Sequence, residues 1–179
     1  MTELIVHVDA SAKPLPFYEP CMTAIRSTVE PNDRVAVRRL VESTGFFRPD
    51  EADIAVELVD EHLRRGSTSG YFFLFAEESG EVAGYVCYGP IGCTVGSYDV
   101  YWIVVSPQHQ GQGLGRALLI AAETAMQQGD ARKIYVETSG REQYEPTRQF
   151  YLRCGYVVEA ILPDYYDVGD DKVILVKSL

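Results

Sequence analysis

The chain has 179 residues, 46% of them apolar, which suits one folded domain with a full core. Twenty-six acidic residues stand against sixteen basic ones, a formal charge of −10. That balance argues against nucleic acid or an anionic membrane as the main partner, since both demand clustered cations, and it suits either a cationic ligand or a merely solvated acidic surface.

No apolar run approaches the roughly 20 residues of a membrane span. The opening "MTELIVHVDA" has no basic leader, so a secretion signal is not expected. Cys21, Cys87, Cys93 and Cys154 form no CxxC pair, which reads as reduced thiols in a cytoplasm. His7, His62 and His109 make no metal-ligand spacing, and no metal is expected.

Residues 1–20 contain Pro14, Pro16 and Pro20 and read as an appended arm, with residues 21–179 as a single domain. The arm's "LIVHV" could add an edge strand, and either the arm or an edge strand could mediate a homodimer. "MTAIRSTV" alternates like a strand. "EPNDRVAVRRLVEST" opens with helix-start residues and stops at Gly45, and "PDEADIAVELVDEHLRRG" carries acids first, Arg64 and Arg65 last, then Gly66. "YFFLFAEESGEVAGYVCYG" is a hairpin around Ser79-Gly80. "SYDVYWIVV" is a strand leading into a helix over 114–128. "KIYVET" is a strand, "YEPTRQFYLRC" a helix, and "YVVEAIL" and "KVILVKSL" two closing strands. The order β-α-α-β-β-β-α-β-α-β-β predicts a mixed α/β fold, antiparallel first and then βαβα.

"VVSPQHQGQGLGRALL" places three glycines where a strand turns into a helix. A dinucleotide fingerprint fails, because the sixth position counted from Gly111 is Arg116 and counted from Gly113 is Leu118. A P-loop needs Lys and then Ser or Thr, and Arg116-Ala117 stands there. What remains is a turn stripped of side chains whose N–H groups can face one anion, helped by the helix dipole and by Arg116. A tight packing turn is the plainer alternative.

Here the sequence resembles the GNAT superfamily of N-acetyltransferases. Gln110, Gly113 and Gly115 match its acetyl-CoA signature Gln/Arg-x-x-Gly-x-Gly/Ala. "REQYEPTRQFYLRCGY" resembles the later family segment ending in Tyr-x-x-x-Gly-Phe/Tyr, and "VETS", "YEPTRQFY" and "DYYDVGDDKVILVKSL" together look like one bacterial subgroup. The likeness runs from about residue 22 to the end. It implies a central, largely antiparallel, splayed sheet of about seven strands with about four helices on both faces. It also implies acetyl-CoA as acyl donor, held by the backbone of Ile103, Val104 and Val105 and by Gln110, Gly111, Gln112, Gly113, Leu114, Gly115 and Arg116. Tyr144 stands where many members carry an Asn that touches the cofactor.

The reaction so implied is direct acetyl transfer to a primary amine of a small molecule or peptide. An alkyl amine is about 99.9% protonated at pH 7, so a base is needed, and the departing thiolate gains from an acid. Tyr151 occupies the family's donor position, against the alternative of a core aromatic. Glu137 is the first candidate base, against a strand-end salt bridge. Asp99 is the second, on one strand face with Tyr101 and Ile103 by simple alternation. Tyr165, Tyr166, Asp167, Asp170 and Asp171 are expected as a loop between the last two strands, either an aromatic-acidic rim for a cationic acceptor or a plain turn. Cys154 has no activating partner in sequence and reads as packing. A non-catalytic acyl-CoA sensor or partner subunit is the alternative function.

Overall fold

The computed structural model describes residues 24–179, so the proline-rich arm and Cys21 lie outside the described residues. The chain enters at β1 (Ala24–Arg26), runs through α1 (Asp33–Ser43) and α2 (Pro49–Arg65), and forms the hairpin β2 (Phe72–Glu78) and β3 (Glu81–Pro90). Then come β4 (Ser97–Val105), α3 (Leu114–Gln128), β5 (Lys133–Ser139), α4 (Glu145–Arg153), β6 (Val157–Asp167) and β7 (Asp170–Ser178). All seven strands form one sheet in the order β1-β2-β3-β4-β5-β7-β6. Element order and count agree with the sequence reading.

Local chemistry accounts for the boundaries. Arg26 fixes the short β1 by pairing with Asp33 at 2.9 Å and Glu77 at 2.8 Å, with its guanidinium 4.6 Å from the Phe75 ring centroid. At the start of α2, Pro49 costs no hydrogen bond, and the Arg48 N–H donates to Glu51 Oε2 at 2.7 Å. The β2–β3 turn has both central residues left-handed, Ser79 at φ 54° and Gly80 at φ 83°, the geometry that matches strand twist in a two-residue hairpin.

Two features of the sheet create the site. The first is a bulge: Cys87 pairs with Trp102 but Tyr88 pairs with Val100, leaving Tyr101 as an extra residue in β4. Alternation therefore breaks at Tyr101. Ile103 belongs to the core cluster with Val100, whereas Tyr101 packs with Trp102 and Val104 on the other face. The expectation that Asp99, Tyr101 and Ile103 share a face is corrected for Ile103, because the extra residue flips everything after it. The second feature is that β4 and β5, the one parallel pair, are joined only at Ser97↔Lys133, Tyr98↔Ile134 and Asp99↔Tyr135. Beyond Asp99 the two strands part.

The last hairpin is tighter than expected. Tyr165, Tyr166 and Asp167 continue β6, Asp170 and Asp171 open β7, and only Val168-Gly169 turns the chain. Gly169 at φ 79° supplies the left-handed residue that allows so short a turn.

Helices cover both faces. Leu118, Leu119, Ala122 and Met126 of α3 and Phe150 and Tyr151 of α4 share one core with Ile103, Ile134, Val136 and Leu175. Val37, Val41, Ala55 and Val59 of α1 and α2 share the other with Phe73, Tyr85, Trp102 and Val104. Gly89, paired with Asp99, lies so close to the 66–70 turn that a β-carbon would meet the Gly70 carbonyl oxygen at 1.9 Å. Gly89→Ala should lose about 2 kcal/mol or more in urea melts, whereas Gly92→Ala, which meets nothing within 4 Å, should stay near wild type.

Candidate active site

The parted strands and the turn after β4 form one continuous feature. The Gln110 side chain donates to the Val105 carbonyl at 3.0 Å and closes the strand end onto the loop. Gly111 at φ 74° and Gly113 at φ 86° take conformations that side chains resist. Gly113 is the N-cap of α3 and makes no side-chain cap, and the space beyond its Cα is open. The first intrahelical bond runs from the Ala117 N–H to the Gly113 oxygen, so the amides of Leu114, Gly115 and Arg116 have no helical acceptor. Gly115 is buried under the helix, while Gly111, Gln112, Gly113 and Arg116 are exposed. Gln112 itself bonds back to the Gln108 carbonyl at 3.0 Å. Exposed glycines, uncapped amides and the helix dipole fit a phosphate group.

Between the cradle and the paired end of the fork lie Ile103, Val104 and Val105. Their side chains are buried, and their backbone pairs with β3 on one side only. The β5-facing edge is therefore the edge that an extended ligand such as a pantetheine arm can use. These residues thus fit the donor that the resemblance implies.

Asp99 occupies the last paired position of the fork. Val136 lies in the α3–α4 core, so alternation sends Tyr135 and Glu137 to the opposite face, the one Tyr101 occupies. Burial, reinforced by the nearby Glu137 and opposed by Lys172, pushes the Asp99 carboxyl up to about 7. Glu137 accepts a salt bridge from Lys172 at 2.6 Å, so the strand-end ion pair weighed from sequence is present. Lys172 Nζ also lies 4.0 Å from the Tyr165 ring centroid and 5.9 Å from that of Tyr166. Tyr101 is half-buried beside Tyr71, ring centroids 5.3 Å apart, and burial with the nearby Asp99 keeps its hydroxyl protonated.

Tyr151 lies on the other side of the sheet. It is fully buried, between Phe150 at 5.1 Å and Tyr156 at 5.2 Å, and its hydroxyl has no hydrogen-bond partner among the described residues. Burial holds it well above the usual tyrosine range, so it carries its proton at neutral pH. Tyr144 packs edge-on against Phe46 at 6.0 Å, and burial pushes its hydroxyl up to about 12. Cys154 is half-buried, and burial with the nearby Glu123 raises its thiol, which opposes thiolate formation and fits packing.

The structure thus gathers Asp99, Glu137, Tyr101, Tyr165 and Tyr166 around one end of the fork and the glycines at the other. Sequence reading missed Lys172 and Tyr71. "DDKVILV" reads as the polar lead-in to a strand, and only the register Ser139↔Lys172 shows that this ammonium reaches Glu137.

A seven-stranded sheet forked at its parallel pair, with a glycine-rich helix start at the open end, is the fold class expected of acyl-CoA transferases. The profile of the Acetyltransferase (GNAT) family matches residues 29–156, and the chain belongs to that family of acetyltransferases. Mycothiol acetyltransferase of Amycolatopsis mediterranei is 32% identical over 146 residues, covering 76% of this chain. The chain spans about half of that relative, 48%. A crystal structure of a protein assigned to GNAT acetyltransferases, from Desulfovibrio desulfuricans, is 51% identical with TM-score 0.86, covering 87% of this chain and 98% of that one. An aminoglycoside 6'-N-acetyltransferase complexed with coenzyme A shares the fold at TM-score 0.70 and 19% identity, covering 87% and 96% of the two chains.

The raised Asp99 carboxyl has a consequence for stability. The folded state holds its proton up to about pH 7, while the unfolded chain releases it near 3.8, so ionisation above that range disfavours folding. Asp99→Asn should therefore gain on wild type as pH rises from about 4 to about 7, reaching about 4 kcal/mol at pH 8 in urea melts and changing little beyond.

Proposed function

We propose that this protein is an N-acetyltransferase that moves the acetyl group of acetyl-CoA to a primary amine in one direct step, with Asp99 as base and Tyr151 as acid. The observation that carries this reading is the fork itself, with a raised carboxyl at its closed end and an uncapped, glycine-lined helix start at its open end. Acetyl-CoA supplies the activated thioester. The pyrophosphate would lie on the amides of residues 111–116, and the backbone of Ile103, Val104 and Val105 would hold the pantetheine arm.

The acceptor arrives as an ammonium and must lose a proton before it can attack. A carboxylate that titrates near 7 is matched to that task, since it is ionised enough to accept the proton and basic enough to hold it. Glu137, already paired with Lys172, is the weaker choice. The ammonium gives one proton to Asp99 Oδ before it attacks, and the second proton, lost by nitrogen as the carbon–nitrogen bond forms and the carbon–sulfur bond breaks, replaces the one that Tyr151 gives to sulfur. The Tyr151 hydroxyl, neutral and unpartnered, is free to give its proton to the departing sulfur. Tyr71 and Tyr101 supply aromatic walls for an amine-bearing acceptor, small molecule or exposed peptide end, while Tyr165 and Tyr166 border Lys172.

Thiol release from acetyl-CoA across amine classes tests the reaction. The rate kcat/KM should rise with pH through a midpoint near 7 as Asp99 ionises. Asp99→Asn and Tyr151→Phe should each lower kcat by about 100-fold or more while acetyl-CoA affinity stays within about threefold of wild type. Tight acetyl-CoA binding with no thiol released for any amine class would instead mark a sensor.

A further inference from the structure

Buried lysines are rare, and Lys172, 6% exposed as a residue, is placed with care. It lies at the start of β7, opposite Ser139 of β5 and Leu162 of β6. Its ammonium has three partners: Glu137 Oε2 at 2.6 Å, and the Tyr165 and Tyr166 rings at 4.0 and 5.9 Å. This is the arrangement the sequence suggested for an incoming cation, filled by the chain's own amine. Burial works against the charge, but the contacts with Glu137 and Tyr165 outweigh it and keep Lys172 protonated.

Two carboxylates at the mouth of one fork pose a problem. Unpaired and close together, they would share one proton, and neither would be a defined base. We propose that Lys172 is a positioning residue for acetyl transfer: wedged between Glu137 and Tyr165, it locks Glu137 as a paired carboxylate and leaves Asp99 as the single group that takes the acceptor's proton. This rests on the acetyl-transfer reading above.

The surroundings support that division. Asp99 is faced by Tyr101 on its own strand, by Tyr135 and Glu137 on β5, and by Lys172 on β7, with Tyr71 and Cys87 behind Tyr101. Lys172 is the one cation in that set. The other acids near it are committed elsewhere. Asp170 pairs with Arg141 at 3.0 Å and accepts from the Ser139 hydroxyl, and the Asp171 carboxylate accepts from the Asp164 N–H at 3.0 Å. Asp99, Glu137 and Lys172 sum to one negative charge, which matches one acceptor ammonium.

The test is a carboxyl titration by carbon-13 NMR on the full-length protein, beside the pH profile of kcat/KM. Lys172→Met should move the Asp99 midpoint up by about one pH unit, because a cation is lost and Glu137 becomes an unpaired neighbour. The acid limb of the rate profile should move with it. Lys172→Arg should keep both near wild type. The double variant Glu137→Gln with Lys172→Met, which leaves no orphan charge, should return the midpoint towards wild type and covers the case in which Lys172→Met alone does not fold. An Asp99 midpoint unmoved in Lys172→Met, or in the double variant an equally raised one, overturns the proposal. Should no amine release thiol, the acetyl-transfer reading fails, while the titration still decides whether Lys172 sets the Asp99 carboxyl.

Discussion

The site depends on a parallel pair of strands that stop pairing after three residues. Backbone N–H and C=O groups on a central strand are costly to leave without partners, and neighbouring strands in one sheet ordinarily stay zipped. Here β4 keeps its full ladder with β3 through Val105 but loses β5 after Asp99. The bulge at Tyr101 falls just past that point, where the extra residue bends and twists the strand away. On the far side β5 stays fully paired with β7 from Lys133 to Ser139, so it cannot follow β4. A wedge lined with backbone polar groups results. Such an edge suits an extended amide-bearing ligand, which can complete the ladder that β5 abandons.

The two faces of the sheet give the fork unlike surroundings. On the α3–α4 side, Tyr151 sits in a core dense with aliphatic side chains, where an ionised hydroxyl would find little solvation. On the α1–α2 side, Asp99 is only half-buried, and Tyr101, Glu137 and Lys172 surround it. The Tyr151 hydroxyl therefore stays protonated on one face while the Asp99 carboxyl is pushed up to about 7 on the other. The bulge also contributes to this separation, because without it Ile103 would share a face with Asp99 and Tyr101 instead of joining the α3–α4 core.

Much of the scaffold was legible because its signals are local. Pro49, Gly45 and Gly66 bound the first two helices, Ser79-Gly80 marks the hairpin, and the glycines fix the start of α3 at Leu114, where the sequence placed it. The glycine cradle was legible for the same reason, since backbone conformations that exclude side chains leave a mark in composition. The bulge was not. After Asp99 the run "VYWIVV" is apolar throughout, so no alternation existed there whose break could be seen. Lys172 was hidden differently: its partners come from β5 and β6, and only strand register brings them within reach. The last hairpin was read as a loop because Asp, Gly and Pro discourage strands, yet β6 continues through a register break after Leu162 and pairs again with β7 at Asp167↔Asp170.

The net charge of −10 bears on function less directly than composition suggests. Several acids of α2 and the start of β3 are neutralised where they stand: Asp53 by Arg38, Asp60 by Arg34, Glu81 by Arg39, and Glu61 by both Arg64 and Arg65. Exposed charges beyond about 8–10 Å are screened at physiological salt, so the surface field steers an amine only weakly. In the proposed reaction, selection of the acceptor falls to the few charges the fork keeps out of bulk water, where interactions are screened far less. At that short range the balance is one paired carboxylate, one buried ammonium and one carboxyl poised near neutrality. In the proposed reaction these few groups handle one amine proton, and much of the remaining acidic surplus is paired or solvated surface.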